Sequence, residues 1–171
     1  LIPTLDGAGG SEEFGVSDTR IDWSVEEGRG LYAVRGREAL ACTGHAEYFD
    51  EATDGRISIA GPDFAAVTVT SLDEAALDES RKILVTACGR CENAGMKFSE
   101  DRQTVGRNWG GPPVQIETVK GTVVLPEGQW KCDALGPDGM PKEGVSVSYR
   151  DGKSILELSP RYKTMWYLLR R

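Results

Sequence analysis

The chain has 171 residues, a length that suits one domain with a core of its own. With 39% hydrophobic residues and a formal net charge of -7, the composition is that of a globular protein and excludes a disordered chain. Because its basic residues are concentrated nowhere, we expect no nucleic-acid partner and favour a neutral or weakly charged ligand. No apolar run reaches the roughly 18 residues of a spanning helix, so we expect no membrane partner.

The beginning of the chain is rich in glycine and acidic residues. We therefore expect residues 1–13 to be a linker or an irregular lead-in, and residues 14–171 to form the domain. The chain starts Leu1-Ile2-Pro3, with neither a methionine nor the apolar stretch of a signal peptide. This start is typical of a piece excised from a larger or processed protein.

Short apolar or alternating segments separated by turn residues follow one another along the chain. The strands that we predict run over residues 20–23, 31–34, 39–43, 56–59, 64–72, 81–88, 114–119, 122–125, 130–135, 145–149, 154–158 and 164–169. The first two form a hairpin across a Gly-containing turn, and the β-branched segments 64–72 and 81–88 form a second, central one. Segments 114–119 and 122–125 form a further pair. No stretch keeps a helical period for three turns, so the fold class is all-β, an antiparallel sandwich or jelly roll.

Four cysteines are too few for a disulfide framework in a chain of this length. Cys88 and Cys91 have the spacing of half a zinc site, but no second pair completes it, and Cys42 and Cys132 lie far away in sequence. We expect buried free thiols or one disulfide. We expect no cofactor; bound calcium is left open, since Asp-Gly turns are frequent but no EF-hand spacing occurs.

A polar loop between two strand patterns, within residues 92–123, is the strongest candidate for a binding surface. It holds Asp101, Arg102, Arg107, Asn108 and Trp109. The C–H faces of sugar rings stack on flat aromatic side chains, while their hydroxyls bind polar side chains, so Trp109 with Arg107 and Asn108 suits a glycan. The alternative is that Trp109 folds back and plugs the end of the sandwich. Asp101 and Arg102 either bind hydroxyls or form a salt bridge with each other that holds the loop.

The other aromatic residues divide into two groups. Tyr162 lies in a charged turn, so we expect it to be the most exposed tyrosine and a further ligand-binding residue. For Trp23, Trp130 and Trp166, which lie in strand patterns, we expect packing in the core or at a sheet edge.

Independent catalysis is not expected. The chain has one histidine, no nucleophile–base signature and no phosphate loop. Carboxylates that could serve as the acid and base of a glycosidase are present, but any acidic protein of this kind offers such a set.

Three motifs resemble those of one family: SDT-x-I-x-W from Ser17, SRKILVTA from Ser80, and ENAGM…EDR-x-TVGRNWG-x-x-PV from Glu92. They resemble the C-terminal β-sandwich accessory domains of bacterial (α/β)-barrel glycoside hydrolases of the cellulase superfamily. The resemblance covers residues 17–125 well and the remainder loosely. The chain departs from the family pattern at three of its cysteines, Cys42, Cys88 and Cys91, where small residues are commoner.

The resemblance implies an accessory domain that is covalently linked to a catalytic domain in a secreted, periplasmic or cell-surface bacterial protein. It implies a non-catalytic carbohydrate-binding module, with plant cell-wall β-glycan, a polysaccharide or oligosaccharide, as its partner. One alternative is a structural sandwich that packs on the catalytic barrel without binding glycan. Another is a β-sandwich enzyme that degrades polysaccharide. Fold kinship alone does not decide between them.

Overall fold

The computed structural model, which describes residues 9–14 and 19–171, consists almost wholly of β-strands. Strands account for 55% of the chain and helices for 6%, which confirms the all-β antiparallel class. The strands are β1 (Gly9–Phe14), β2 (Thr19–Glu26), β3 (Arg29–Arg35), β4 (Ala39–His45), β5 (Ile57–Gly61), β6 (Phe64–Ser71), β7 (Lys82–Cys88), β8 (Cys91–Ala94), β9 (Gly111–Ile116), β10 (Lys120–Leu125), β11 (Lys131–Leu135), β12 (Pro141–Val145), β13 (Val147–Arg150), β14 (Lys153–Leu158) and β15 (Trp166–Arg170).

The helical segments are short. They are a 3₁₀ turn (Ala46–Tyr48), helix α1 (Phe49–Ala52) and a second 3₁₀ turn (Pro160–Tyr162). Within the described residues, no helix has the length and apolar character needed to cross a membrane.

The strands form two large sheets and one small ribbon. The nine-stranded sheet has the order β1-β2-β3-β4-β6-β7-β15-β11-β12, and the four-stranded sheet has the order β13-β14-β10-β5. Among the strands of the described residues, β8 and β9 pair only with each other. The predicted hairpins β2–β3 and β6–β7 are confirmed, and β6–β7 lies in the middle of the large sheet.

The core lies between the two large sheets, because alternate side chains of each central strand point inward. Val67 of β6 and Val85 of β7 are fully buried, as are Val123 of β10 and Leu156 of β14 in the facing sheet. These residues belong to one continuous apolar cluster. Burial of each such side chain contributes about 1.5–3 kcal/mol to folding.

The predicted lead-in is wrong in part. Residues 9–13, which we predicted to be part of a lead-in, belong to β1, which pairs with β2 from Gly9↔Ser24 to Phe14↔Thr19. The segment lacks β-branched residues and so has a low intrinsic preference for a strand, but hydrogen bonding to β2 stabilises it as one. Residues 1–8 of the predicted lead-in, and Ser17 and Asp18 of the family motif, lie outside the described residues.

The predicted pairing of segments 114–119 and 122–125 is also wrong. Strand β9 pairs with β8, whereas β10 pairs with β14 on one side and β5 on the other. The residues between β9 and β10 do not form a tight turn; they carry the chain from the ribbon into the four-stranded sheet.

Candidate functional site

The ribbon β8–β9 and the loop of residues 95–110 that joins its strands are a separate part of the molecule, here called the arm. The arm belongs to neither large sheet. At its base, Arg90 donates a hydrogen bond to the Asp63 carboxylate at 2.6 Å, and its guanidinium lies 5.4 Å from the centre of the Phe64 ring. The hydrogen bond and charge of Arg90 lower the pKa of Asp63. These contacts anchor the arm to the strand β6 side of the sandwich.

Within the arm, Asp101 stabilises a tight turn. Its carboxylate accepts hydrogen bonds from the Ser99 hydroxyl at 2.5 Å and from the Gln103 amide at 3.0 Å. These hydrogen bonds lower the pKa of Asp101, and the one from Ser99 has the larger effect. The carboxylate therefore holds the loop, although it stays exposed at the surface.

Arg102 holds the other side of the loop. It forms an ion pair with Glu92 of β8, and its guanidinium lies 4.1 Å from the centre of the Phe98 ring. The alternative of a salt bridge between Asp101 and Arg102 is therefore wrong. Each of the two residues holds the loop, but through contacts with other neighbours. Adjacent residues on a turn point apart, which explains why they do not meet.

Trp109 is 62% exposed at the surface of the arm, so the structure excludes the alternative in which it plugs the end of the sandwich. Its carbonyl oxygen accepts a hydrogen bond from the Asn93 side chain at 3.0 Å. The carbonyl of the preceding Asn108 accepts one from the Lys97 amide at 3.0 Å. The main chain around Trp109 is thus fixed while the indole ring stays open to solvent.

Gly110, the residue after Trp109, can be nothing but glycine without rearrangement. Its φ angle is +64°, a conformation that costs side-chain-bearing residues about 1–2 kcal/mol. In addition, a Cβ atom at this position would lie 2.4 Å from the Ala94 carbonyl oxygen. The close approach of loop and ribbon at Gly110 sets the position of Trp109.

The surroundings of Trp109 are mixed in polarity. Arg107 and Asn108 are both exposed beside it, and Arg107 forms no ion pair with any described residue. On β9, Val114 is 57% and Ile116 is 40% exposed. The arm therefore offers a flat ring, a free cation, an amide and an apolar strip, but no pair of free carboxylates for acid–base chemistry.

The predicted exposure of Tyr162 is wrong. It is only 7% exposed and packs edge-on against Tyr167, with ring centres 6.1 Å apart. The 3₁₀ turn capped by Ser159 directs this ring into the core although its neighbours are charged. Tyr162 therefore takes no part in a surface site.

The three other tryptophans differ in exposure. Trp130 is 8% exposed and Trp166 is half-buried, as predicted for packing residues. Trp23 lies on β2, the strand next to the edge strand β1, where its indole lies over Gly10, but it is still 37% exposed. It pairs across β2–β3 with Tyr32, which is 42% exposed.

Sequence reasoning missed one strongly exposed aromatic residue, Tyr149 of β13, which is 64% exposed. It lies at the end of the predicted segment 145–149, two residues before Asp151 of the Asp151-Gly152 turn. This position on a short strand next to a hairpin turn was the available signal.

All four cysteines are free thiols, so the disulfide alternative is not realised. Cys42 and Cys132 are buried, and desolvation raises the pKa of each to about 12. Among the described residues, no three histidine, cysteine, aspartate or glutamate side chains come together as ligands for a metal ion.

Comparison with known proteins found no match to the chain among protein-family models, curated proteins or solved structures.

Proposed function

We propose that this β-sandwich is a non-catalytic carbohydrate-binding module that binds plant cell-wall β-glycan through the arm. One observation carries the proposal: the indole ring of Trp109 is 62% exposed on a loop whose main chain is fixed. Arg107 and Asn108 lie beside it in sequence and are also exposed. A ring of this kind offers a stacking surface for a pyranose, with a guanidinium and an amide for its hydroxyls.

The fixed loop favours binding because little conformational entropy remains to be lost. Asp101, Arg102 and Asn93 each hold the loop through contacts within the chain itself. Ordering a loop or a long side chain on binding costs about 0.5–1.5 kcal/mol per side chain, and a preformed loop avoids that cost. Stacking on one aromatic ring contributes a similar amount, about 0.5–1.5 kcal/mol.

The charge of the chain supports a neutral ligand. With a formal net charge of -7, the domain repels polyanions at long range, whereas neutral polysaccharide carries no charge to repel. In a full-length hydrolase, the module would hold the catalytic domain near its polymeric substrate and raise the local substrate concentration. A secreted or cell-surface location follows from that role.

A second candidate function is a structural role, in which the arm packs on a linked catalytic barrel. The observation that favours it is the exposure of the apolar residues Val114 and Ile116 on β9 of the arm. Exposed apolar patches on a soluble domain mark interaction surfaces.

Affinity electrophoresis in native gels separates the two functions. The purified domain is run through gels containing soluble β-glucan, xyloglucan, mannan, xylan or pectin, with Trp109→Ala alongside. Met140→Ala is a matched control, because Met140 is also 62% exposed but lies outside the arm. We expect one neutral polysaccharide to retard the wild type and the Met140→Ala variant, and to retard Trp109→Ala much less.

Absence of retardation by every polysaccharide would contradict glycan binding and favour the structural role. Equal retardation of the wild type and Trp109→Ala would leave a glycan-binding domain but remove Trp109 from the binding surface.

A further inference from the structure

A second concave surface lies at the other end of β10 from the arm. It is a cleft of about 510 Å³ between the turn of residues 126–130 and the β13–β14 hairpin, a size within the roughly 300–1,000 Å³ range of ligand sites. Its lining includes Glu127, Gln129, Trp130, Ser148, Tyr149 and Ser154. None of these residues belongs to the arm.

The floor of this cleft is fixed by hydrogen bonds. The Trp130 indole N–H donates to the Pro126 carbonyl at 2.8 Å, and the Ser154 hydroxyl donates to the Gly128 carbonyl at 2.7 Å. The Arg171 guanidinium lies 4.9 Å from the centre of the Trp130 ring and donates to the Glu127 carbonyl. The buried polar groups of the floor are therefore already bonded, and the turn is rigid before any ligand arrives.

The rim has the opposite character. Tyr149 is 64% exposed, and the side chains of Glu127 and Gln129 are exposed as well. In the described part of the chain, the side-chain polar atoms of Tyr149, Ser148, Glu127 and Gln129 have no hydrogen-bond or ion-pair partner. A fixed floor beneath a rim of unoccupied hydroxyl, amide and carboxylate groups is the arrangement of a ligand site.

The chemistry of the rim defines the ligand class. An exposed phenol ring offers a stacking face for a sugar ring, and the amide, hydroxyl and carboxylate groups are partners for sugar hydroxyls. The carboxylate of Glu127 disfavours phosphates and other anions in the cleft. We propose that the cleft between Trp130 and Tyr149 is a second saccharide-binding site, for a short stretch of neutral glycan.

The two sites lie on different parts of the chain: the arm precedes β10, and the turn of residues 126–130 follows it. The inference rests on the proposed function, since it assigns the same class of ligand to both surfaces. Each site contains its own tryptophan, Trp109 or Trp130, so each can be titrated separately.

The test uses the indole N–H signals of the four tryptophans in nitrogen–proton correlation spectra. The whole domain is titrated with cellotetraose, mannotetraose and xylotetraose in turn. We expect one of these tetrasaccharides to shift the assigned signals of both Trp130 and Trp109. In Tyr149→Ala, the Kd read from the Trp130 signal rises about 2- to 10-fold, while the Kd read from the Trp109 signal is unchanged.

The reciprocal variant and a control complete the design. Trp109→Ala leaves the Trp130 titration unchanged, and so does Tyr32→Ala, whose phenol ring is exposed on the large sheet. Because Tyr149 is a surface residue, its removal is not expected to prevent folding.

Several outcomes would overturn the inference, and they separate it from the proposed function. A shift of the Trp109 signal alone removes the second site and leaves the arm as the glycan-binding surface. A shift of neither signal removes both. A saccharide-induced Trp130 shift that Tyr149→Ala does not weaken removes Tyr149 from the site and overturns the cleft as the binding surface. A Trp130 shift caused by an extended peptide but by no saccharide replaces the saccharide site by strand addition at the β13 edge. A Trp130 shift without a Trp109 shift retains the cleft and removes the assigned role of the arm.

Discussion

The core between the two sheets and the arm are held together by different interactions. In the core, Ile83, Val85, Leu156 and Leu158 are fully buried, so the hydrophobic effect and close packing dominate. Of residues 91–116 in the arm, only Val105 is buried. The arm depends instead on hydrogen bonds, an ion pair and one obligatory glycine.

Because of this difference, the core determines the stability of the whole domain, whereas the contacts of the arm determine only the position of its loop. A change in the core alters the free energy of unfolding of the whole domain, because its apolar cluster joins both sheets. A change in the arm opens a local segment and leaves the sandwich folded, since regions with few buried apolar contacts open at low free energy.

The largest effect is expected from Ile83→Ala in the core. Removal of a fully buried isoleucine leaves a cavity and destabilises the domain by about 2–5 kcal/mol, measured by urea denaturation. The matched control is Leu84→Ala on the same strand, whose side chain points to the opposite face and is half-buried, so its loss is expected to be smaller. Equal losses would show that the outer face of the large sheet is packed as closely as the core.

The next largest effect is expected from Gly110→Ala in the arm. The positive φ angle and the 2.4 Å approach of a Cβ to the Ala94 oxygen displace the loop. Polysaccharide retardation should fall at least as far as in Trp109→Ala, while the urea midpoint of the sandwich changes little. In Gly106→Ala, φ is +53° but no atom lies within 4 Å of the added Cβ. This control carries only the conformational cost of about 1–2 kcal/mol, so retardation close to wild type is expected; a loss equal to that of Gly110→Ala would contradict the steric explanation.

A smaller effect is expected from Arg102→Ala. The variant loses the exposed ion pair with Glu92 and the cation–π contact with Phe98, which together contribute on the order of 1 kcal/mol. Amide hydrogen exchange within residues 95–110 should be about fivefold faster, with core amides unaffected. Arg150→Ala, at an exposed position outside the arm, should change the exchange rates of neither the arm amides nor the core amides. Unchanged exchange in the arm would mean that Asp101 and Asn93 suffice to hold the loop.

The smallest effect concerns pH. The folded-state pKa of Asp101 is lowered by the hydrogen bonds from Ser99 and Gln103, so the carboxylate stabilises the turn at every pH above its unfolded value of about 3.9. That contribution is lost as the pH falls below about 3.9 through the folded pKa. Exchange of the arm amides, corrected for intrinsic rates, should be constant between about pH 5 and 7 and should accelerate in stronger acid. In Asp101→Asn the acceleration should be reduced; if it persists in full, another carboxylate controls the loop.

Strands with alternating β-branched residues were predictable from the sequence. Residues 64–72 and 81–88 emerged as β6 and β7 in the centre of the sheet, because burial on one face imposes a period of two. Strand β1 and strand β12 carry glycine, proline or charged residues and depend on pairing with a neighbouring strand. Propensity carries no information about such tertiary pairing.

From the sequence, the Trp109 ring could either be exposed or plug the end of the sandwich, and only the structure decides between these two positions. What decides it is the approach of Gly110 to Ala94, a contact between loop and ribbon that no local pattern encodes. The prediction that Tyr162 is exposed was wrong because it used only the charged neighbours in sequence. The capped 3₁₀ turn directs the ring inward. The partner of Arg102 could not be predicted either, because its ion pair with Glu92 depends on the position of β8 beside the loop.

The placement of the thiols makes the chain a reporter of its own opening. Cys91 is exposed, whereas Cys42 and Cys132 are buried with a pKa of about 12, and only the thiolate reacts with an alkylating reagent. Modification of Cys91 therefore records the folded surface, and modification of the two buried thiols records the rare moments when the sheets separate. The rates of these two classes measure surface access and global unfolding in a single sample, without any introduced label.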